Sequence, residues 1–132
     1  MTENKIKILI IDDEEDFSFF LSRNLERLHI YEIITANNGK VGLKKAKQYN
    51  PDLIFLDIMM PGIDGLEVLK ILKADKKTAS IPVIMLTGRA EEEFKAKAAG
   101  LGNDDYIEKP VEVEYLRSKI ENVLAKNKPK EE

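Results

Sequence analysis

The chain has 132 residues, 43% of them hydrophobic and 34% charged, with a net charge of −3; that length and balance describe one folded domain. It has no cysteine and a single histidine, His29, which excludes disulfides, thiolate nucleophiles, cysteine or histidine metal clusters and histidine-dependent triads. Charges of both signs are spread without a basic stripe, no apolar run approaches roughly 20 residues and no leader precedes the first strand, so neither nucleic acid nor membrane is expected as a partner and the cytoplasm is the expected location.

The first apolar run, Ile6–Ile11, reads as a strand. Phe17, Phe20, Leu21, Leu25 and Leu28 then recur at helical spacing and predict one buried face of an amphipathic helix, with Phe19 off that face. His29 reads as a helix-end residue without a catalytic role. A second strand is expected over 33–35 and a second helix over 38–49, stopped by Asn50-Pro51-Asp52. The runs over 53–56 and 83–86 are apolar at every position, as in strands buried on both faces of a parallel sheet. Pro82 opens the second of these, where a missing amide donor is tolerated. Helices are expected over 64–73 and 90–99, and a brief strand at 106–107. Val113, Leu116, Ile120, Val123 and Leu124 mark a final helix, and 127–132 reads as a short polar tail after a domain covering 1–126. Strand alternating with helix five times predicts an α/β domain with right-handed crossovers and a doubly wound sheet.

In such a sheet the chemistry gathers beyond the carboxyl ends of the strands. Asp12, Asp13, Glu14 and Glu15 follow the first strand, Asp57 closes the third, Thr87 and Gly88 end the fourth, and Lys109 and Pro110 follow the fifth. Each has a plain alternative. The acidic run can serve only to cap a helix, Asp57 before Met-Met-Pro-Gly can be a turn former, Thr87-Gly88 can be an ordinary turn and Lys109 a solvated lysine. Together they make a different object. Converging carboxylates repel one another and call for a hard cation such as Mg²⁺. A carboxylate flanked by Mg²⁺ and a lysine is suited to accept a phosphoryl group.

The segments ILIIDDEED, PDLIFLDIMMPGIDGLEVL, IPVIMLTGR and GNDDYIEKP closely resemble the receiver domain of response regulators in two-component signalling, over essentially the whole chain. The resemblance implies a flavodoxin-like, five-stranded parallel sheet in the order 2-1-3-4-5, flanked by five helices. It implies Asp57 as phosphoacceptor from a histidine kinase or phosphotransfer protein, and Asp12, Asp13, Asp57 and the backbone carbonyl of Met59 as Mg²⁺ ligands. Lys109 would pair with the phosphoryl oxygens, Thr87 and Tyr106 would form the switch, and the Lys109-Pro110 peptide would be cis. The output surface would lie on the fourth helix, fifth strand and fifth helix, with Arg89, Glu93, Lys97, Tyr106, Tyr115 and Lys119 as its candidates and a downstream protein as its target. The resemblance further implies a phosphoacceptor switch rather than an enzyme, acting as a monomer or a phosphorylation-dependent dimer. Met59 and Arg89 occupy positions that tune phosphoryl lifetime in the family, and their types predict slow self-dephosphorylation. Asn103 stands where alanine is common, a departure that leaves the site intact.

Three rival readings are weaker. A haloacid-dehalogenase-like phosphatase expects an acid two residues after its nucleophile, where this chain has Met59. A receiver-like module without phosphorylation would lack an acid or the lysine. A flavodoxin-like cofactor carrier needs a phosphate loop after the first strand, where Asp-Asp-Glu-Glu would repel the phosphate. The expected form is a stand-alone single-domain regulator.

Overall fold

Each of the five apolar runs becomes a strand and is followed by a helix, the first four helices being the crossovers to the next strand. A computed structural model describes residues 4–88 and 92–127. The strands are β1 (Ile6–Ile11), β2 (Tyr31–Ala36), β3 (Leu53–Asp57), β4 (Val83–Thr87) and β5 (Asp105–Glu108). The helices are α1 (Glu15–Glu26), α2 (Gly39–Tyr49), α3 (Gly65–Ala74), α4 (Glu92–Gly100) and α5 (Val113–Lys126). All pairings are parallel, and the sheet order is β2-β1-β3-β4-β5. The predicted start of the fourth helix at Ala90, the output candidate Arg89 and tail residues 128–132 lie outside the described residues.

Successive residues of a strand point to opposite faces, so an all-apolar strand feeds two cores at once. Leu9, Ile11, Ile54, Leu56, Val83 and Met85 join Ala46, Val68, Leu69, Leu72 and Ala98 of α2, α3 and α4 on one face. Ile8, Ile10, Leu53, Phe55, Ile84 and Leu86 join Leu21, Leu25, Leu116, Ile120 and Val123 of α1 and α5 on the other. The second strand begins two residues earlier than expected because Tyr31 is buried and pairs with Ile6.

Local signals set the helix ends. Asn38 caps α2 by accepting from Val41 N at 2.8 Å, and Asp64 caps α3 by accepting from Glu67 N at 2.9 Å. Asn50 ends α2 in the left-handed conformation, as does His29 in the turn after α1. One expectation for α1 is corrected. Phe20 is 48% exposed, and the inward face carries Ser18, Leu21 and Leu25 with Phe17 and Leu28 partly buried. A rotation of about 100° per residue carries Phe20 to the flank of the stripe centred on Leu21 and Leu25. Phe19 is exposed as expected, with Arg23 stacked 5.5 Å from its ring centre.

The amino end of the sheet is closed by polar contacts. Lys73 Nζ donates to the carbonyls of Ile81 at 2.9 Å and Ala79 at 3.2 Å, and Asp104 Oδ2 accepts from Val83 N at 2.9 Å. Thr78 Oγ1 donates to Leu72 O at 2.7 Å inside the core. These contacts tie α3 and the following turn to β4, leaving the opposite end of the sheet open for chemistry.

Candidate functional site

The sheet order makes β1, β3 and β4 neighbours, so residues that follow these strands must meet at one edge. Asp12 follows β1 directly and is buried, Asp57 ends β3 with 4% exposure, and Thr87 ends β4 fully buried. Asp13 lies beside Asp12 nearer the surface. One carboxylate oxygen from each of Asp12, Asp13 and Asp57 lies within 4.8 Å of the others. Lys109, just past β5, points back into this group. Its backbone N donates to Thr87 O at 2.7 Å, and the Lys109-Pro110 peptide is cis.

The lysine has an ordered set of partners. Its Nζ stands 2.6 Å from Glu14 Oε1, 2.8 Å from Asp12 Oδ2 and 3.8 Å from Asp57 Oδ1. The Phe17 ring centre lies 4.4 Å below the same ammonium. The Asp12 contact is an ion pair whose angles fall short of a hydrogen bond, so this buried oxygen keeps acceptor capacity. The other oxygen, Asp12 Oδ1, accepts from Glu14 N at 2.9 Å.

One ammonium among these carboxylates leaves the pocket short of positive charge. Burial pushes the Asp57 carboxyl up to about 7; the charge of Asp12 pushes the same way and Lys109 opposes. Burial also raises Asp12 above the ordinary carboxylate range, against the pull of Lys109. For Lys109 burial disfavours the charge, but Asp12 and Glu14 outweigh it and hold the ammonium above its usual value. The donor set is all oxygen, converging and electrostatically unsatisfied, which is what a hard divalent cation requires. The residues present fit Mg²⁺.

Thr87 and Tyr106 are linked by register. Thr87 lies opposite Glu108 and Met85 opposite Tyr106, so the Thr87 and Tyr106 side chains are diagonal neighbours on one face of the sheet. Tyr106 packs partly buried against the core on that face, with Lys95 Nζ 5.8 Å from its ring centre. Of the output candidates, Glu93 and Lys97 form an exposed pair at 3.5 Å on α4. Tyr115 is half-exposed on α5, and Lys119 bridges to Asp105 of β5 at 3.1 Å. Met59 lies in the loop after β3 with its side chain exposed.

Three residues enter this geometry through contacts that the sequence did not single out. Glu14 and Phe17 contact Lys109 across a long sequence gap. Gly65 starts α3 against the backbone of Asp57 and Ile58: an added Cβ would overlap the Asp57 carbonyl oxygen and stand 2.7 Å from Ile58 Cα. Gly65 N also donates to Ile58 O at 2.8 Å. The Asp-Gly pair ahead of an apolar helix was the available signal, and it reads equally as a cap.

An open α/β sheet with a cation-ready carboxylate group and a lysine at its carboxyl edge defines a phosphoryl-handling class of domain. Residues 8–121 match the response regulator receiver domain family, and the chain belongs to it. Over 121 residues it is 42% identical to the alkaline phosphatase synthesis transcriptional regulatory protein PhoP of Bacillus subtilis, covering 92% of this chain and 49% of that protein. The chain thus spans about half the length of that curated relative. It is 38% identical to the protein PilH of Pseudomonas aeruginosa over 119 residues, covering 90% of this chain and 98% of PilH. A crystal structure of a putative response regulator from Chloroflexus aurantiacus superposes with a TM-score of 0.86 at 30% identity, covering 92% of this chain and 99% of that one. The sheet order and the phosphorylation-responsive character implied by the resemblance are those of this family. No helix among the described residues is long and apolar enough to cross a membrane.

Proposed function

We propose that this chain is a switch that accepts a phosphoryl group on Asp57 and passes the change to a protein target through its α4-β5-α5 surface. The observation that carries the reading is the state of Asp57: a buried carboxyl at the end of a core strand, raised to about 7 beside two further aspartates, with Lys109 Nζ 3.8 Å away. A single long ion pair to Lys109 is little compensation for a carboxyl so buried among other acids.

In the transfer, one Asp57 carboxylate oxygen attacks the phosphorus of a phosphohistidine on a histidine kinase or phosphotransfer protein. The new O–P bond forms as the P–N bond breaks, and the departing imidazole nitrogen keeps the electron pair and takes up a proton. Asp12, Asp13, Asp57 and the Met59 carbonyl would hold Mg²⁺, which would neutralise the phosphoryl oxygens. Lys109, whose Nζ is 3.8 Å from Asp57 Oδ1, pairs with the phosphoryl oxygens. The buried walls of β1 and β3 limit the approach of water.

The acyl phosphate carries up to about two negative charges where the carboxylate carried one, and it sets strong acceptor oxygens further out, which favour an inward position of the Thr87 hydroxyl. Tyr106, its diagonal neighbour, responds to the space vacated, and the change reaches Glu93, Lys97, Tyr115 and Lys119 around β5. Residues 1–126 act as one unit in this reading. Asp57→Asn is expected to abolish covalent labelling by a small phosphodonor with Mg²⁺ present. Stoichiometric labelling of the Asn variant would refute the assignment.

A further inference from the structure

Glu14 sits at the N-cap of α1, where a polar side chain ordinarily accepts from an amide of the first turn. Its side chain makes no such bond. It reaches instead to Lys109, 95 residues away in sequence, with Oε1 2.6 Å from Nζ. Asp12 Oδ1 accepts from Glu14 N and aims the side chain, and the Phe17 ring supports the ammonium from one side. Of the three carboxylates paired with Lys109, Glu14 is the nearest and Asp57 the farthest, at 2.6 and 3.8 Å. Asp12 lies between them, a buried partner at 2.8 Å that stays with the ammonium throughout, so Glu14 restrains only its solvent-side reach, and Asp57 at 3.8 Å is too far for a charge-assisted hydrogen bond.

We propose that Glu14 is a positioning residue that restrains Lys109 in the unphosphorylated protein and releases it as the phosphoryl group arrives on Asp57. The proposal rests on the phosphoacceptor reading above. A phosphoryl group offers the ammonium a stronger partner than an exposed carboxylate, so the exchange runs forward once the group is in place. Before that, Glu14 holds back the cation that an incoming phosphoryl group needs. The Glu14 side chain is 62% exposed, so the restraint is modest and sets a rate. Asp16 carries the same charge in the same helical turn and takes no part in the Lys109 ion pairs.

The test compares labelling of Asp57 by acetyl phosphate, at saturating Mg²⁺, in Glu14→Gln, Glu14→Asp and Asp16→Asn. The Lys109 side-chain NMR signal is followed in the same unlabelled proteins. Glu14→Gln removes the charge, Glu14→Asp keeps it but loses reach, and Asp16→Asn removes a charge without touching Lys109. Both Glu14 variants are expected to label about two- to fivefold faster than wild type, the scale of one exposed ion pair, with a moved Lys109 signal. Asp16→Asn should do neither. Unchanged rates in either Glu14 variant, an unmoved Lys109 signal in Glu14→Gln, or equal acceleration in Asp16→Asn would each overturn the restraint. Failure of the wild type to label would instead defeat the phosphoacceptor reading, and this proposal with it.

Discussion

Gly65 lies against the backbone of Asp57 so closely that no side chain fits between them. The first turn of α3 is therefore the back wall of the candidate acceptor. Gly65→Ala must push α3 or the end of β3 aside, with an expected cost of about 2–3 kcal/mol and slower labelling at Asp57. Gly62 is the control. It has φ of 78° and nothing within 4 Å of an added Cβ, so Gly62→Ala should cost about 1 kcal/mol for its left-handed backbone and leave labelling near wild type. Denaturant midpoints and labelling rates measured on both variants check this.

Asp57 makes stability depend on pH in a defined direction. Its folded value of about 7 exceeds the ordinary 3.8, so between these values the folded state holds the extra proton. Stability in Mg²⁺-free buffer should therefore rise as pH falls from about 7 toward 4, and be lowest above 7. Asp57→Asn removes the buried charge and should stabilise the protein at pH 8, on the order of 2 kcal/mol after discounting for solvent relaxation. A melting series from pH 5 to 8 that is flat, or that slopes the other way, would contradict the assignment.

Mg²⁺ should relieve the same repulsion. Binding only to the folded state stabilises it by about 2.7 kcal/mol at a hundredfold excess over the dissociation constant. The wild-type melting temperature is thus expected to rise with Mg²⁺ and to lose most of its pH dependence. Asp13→Asn, which removes one oxygen donor at the rim, should blunt the Mg²⁺ response while leaving metal-free stability little changed. Calorimetric melts with Mg²⁺ and with a chelator separate these outcomes.

Three positions on α1 distinguish the observed helix face from the expected one. Leu21 is fully buried, so Leu21→Ala should cost about 2–5 kcal/mol. Its neighbour Phe20 is about half exposed, and Phe20→Ala should cost well under half of that. Ser18 is buried and its hydroxyl has no hydrogen-bond partner. Ser18→Ala removes a desolvated group and should be neutral or stabilising by up to about 1 kcal/mol. Unfolding curves of the three variants give the ranking directly.

The architecture was legible because strands buried on both faces write unbroken apolar runs, as Leu53 to Leu56 of β3, Val83 to Leu86 of β4 and Ile8 to Ile11 of β1 do. The candidate site was legible because the parallel topology sends Asp12, Asp57, Thr87 and Lys109 to one edge, whatever the details of packing. The inward face of α1 was less so. Phe19, Phe20 and Leu21 are three consecutive apolar residues, and a rotation of about 100° each lets more than one stripe be drawn through them. Ser18 carries no apolar signal, and its burial follows only from where α1 lands. The reach of Glu14 to Lys109 was invisible for a different reason. It depends on Asp12 turning the backbone at Glu14, and a glutamate before a helix gives the same local pattern whether it caps or reaches away.

The strand order leaves two borders to the sheet, β2 and the four-residue β5. Both carry acid at an exposed position, Glu32 on β2 and Glu108 on β5, and Asp105 adds another at the start of β5. Bringing two molecules together border to border would set like charges against each other along a very short ladder. The arrangement discourages runaway fibril growth through either border of the sheet.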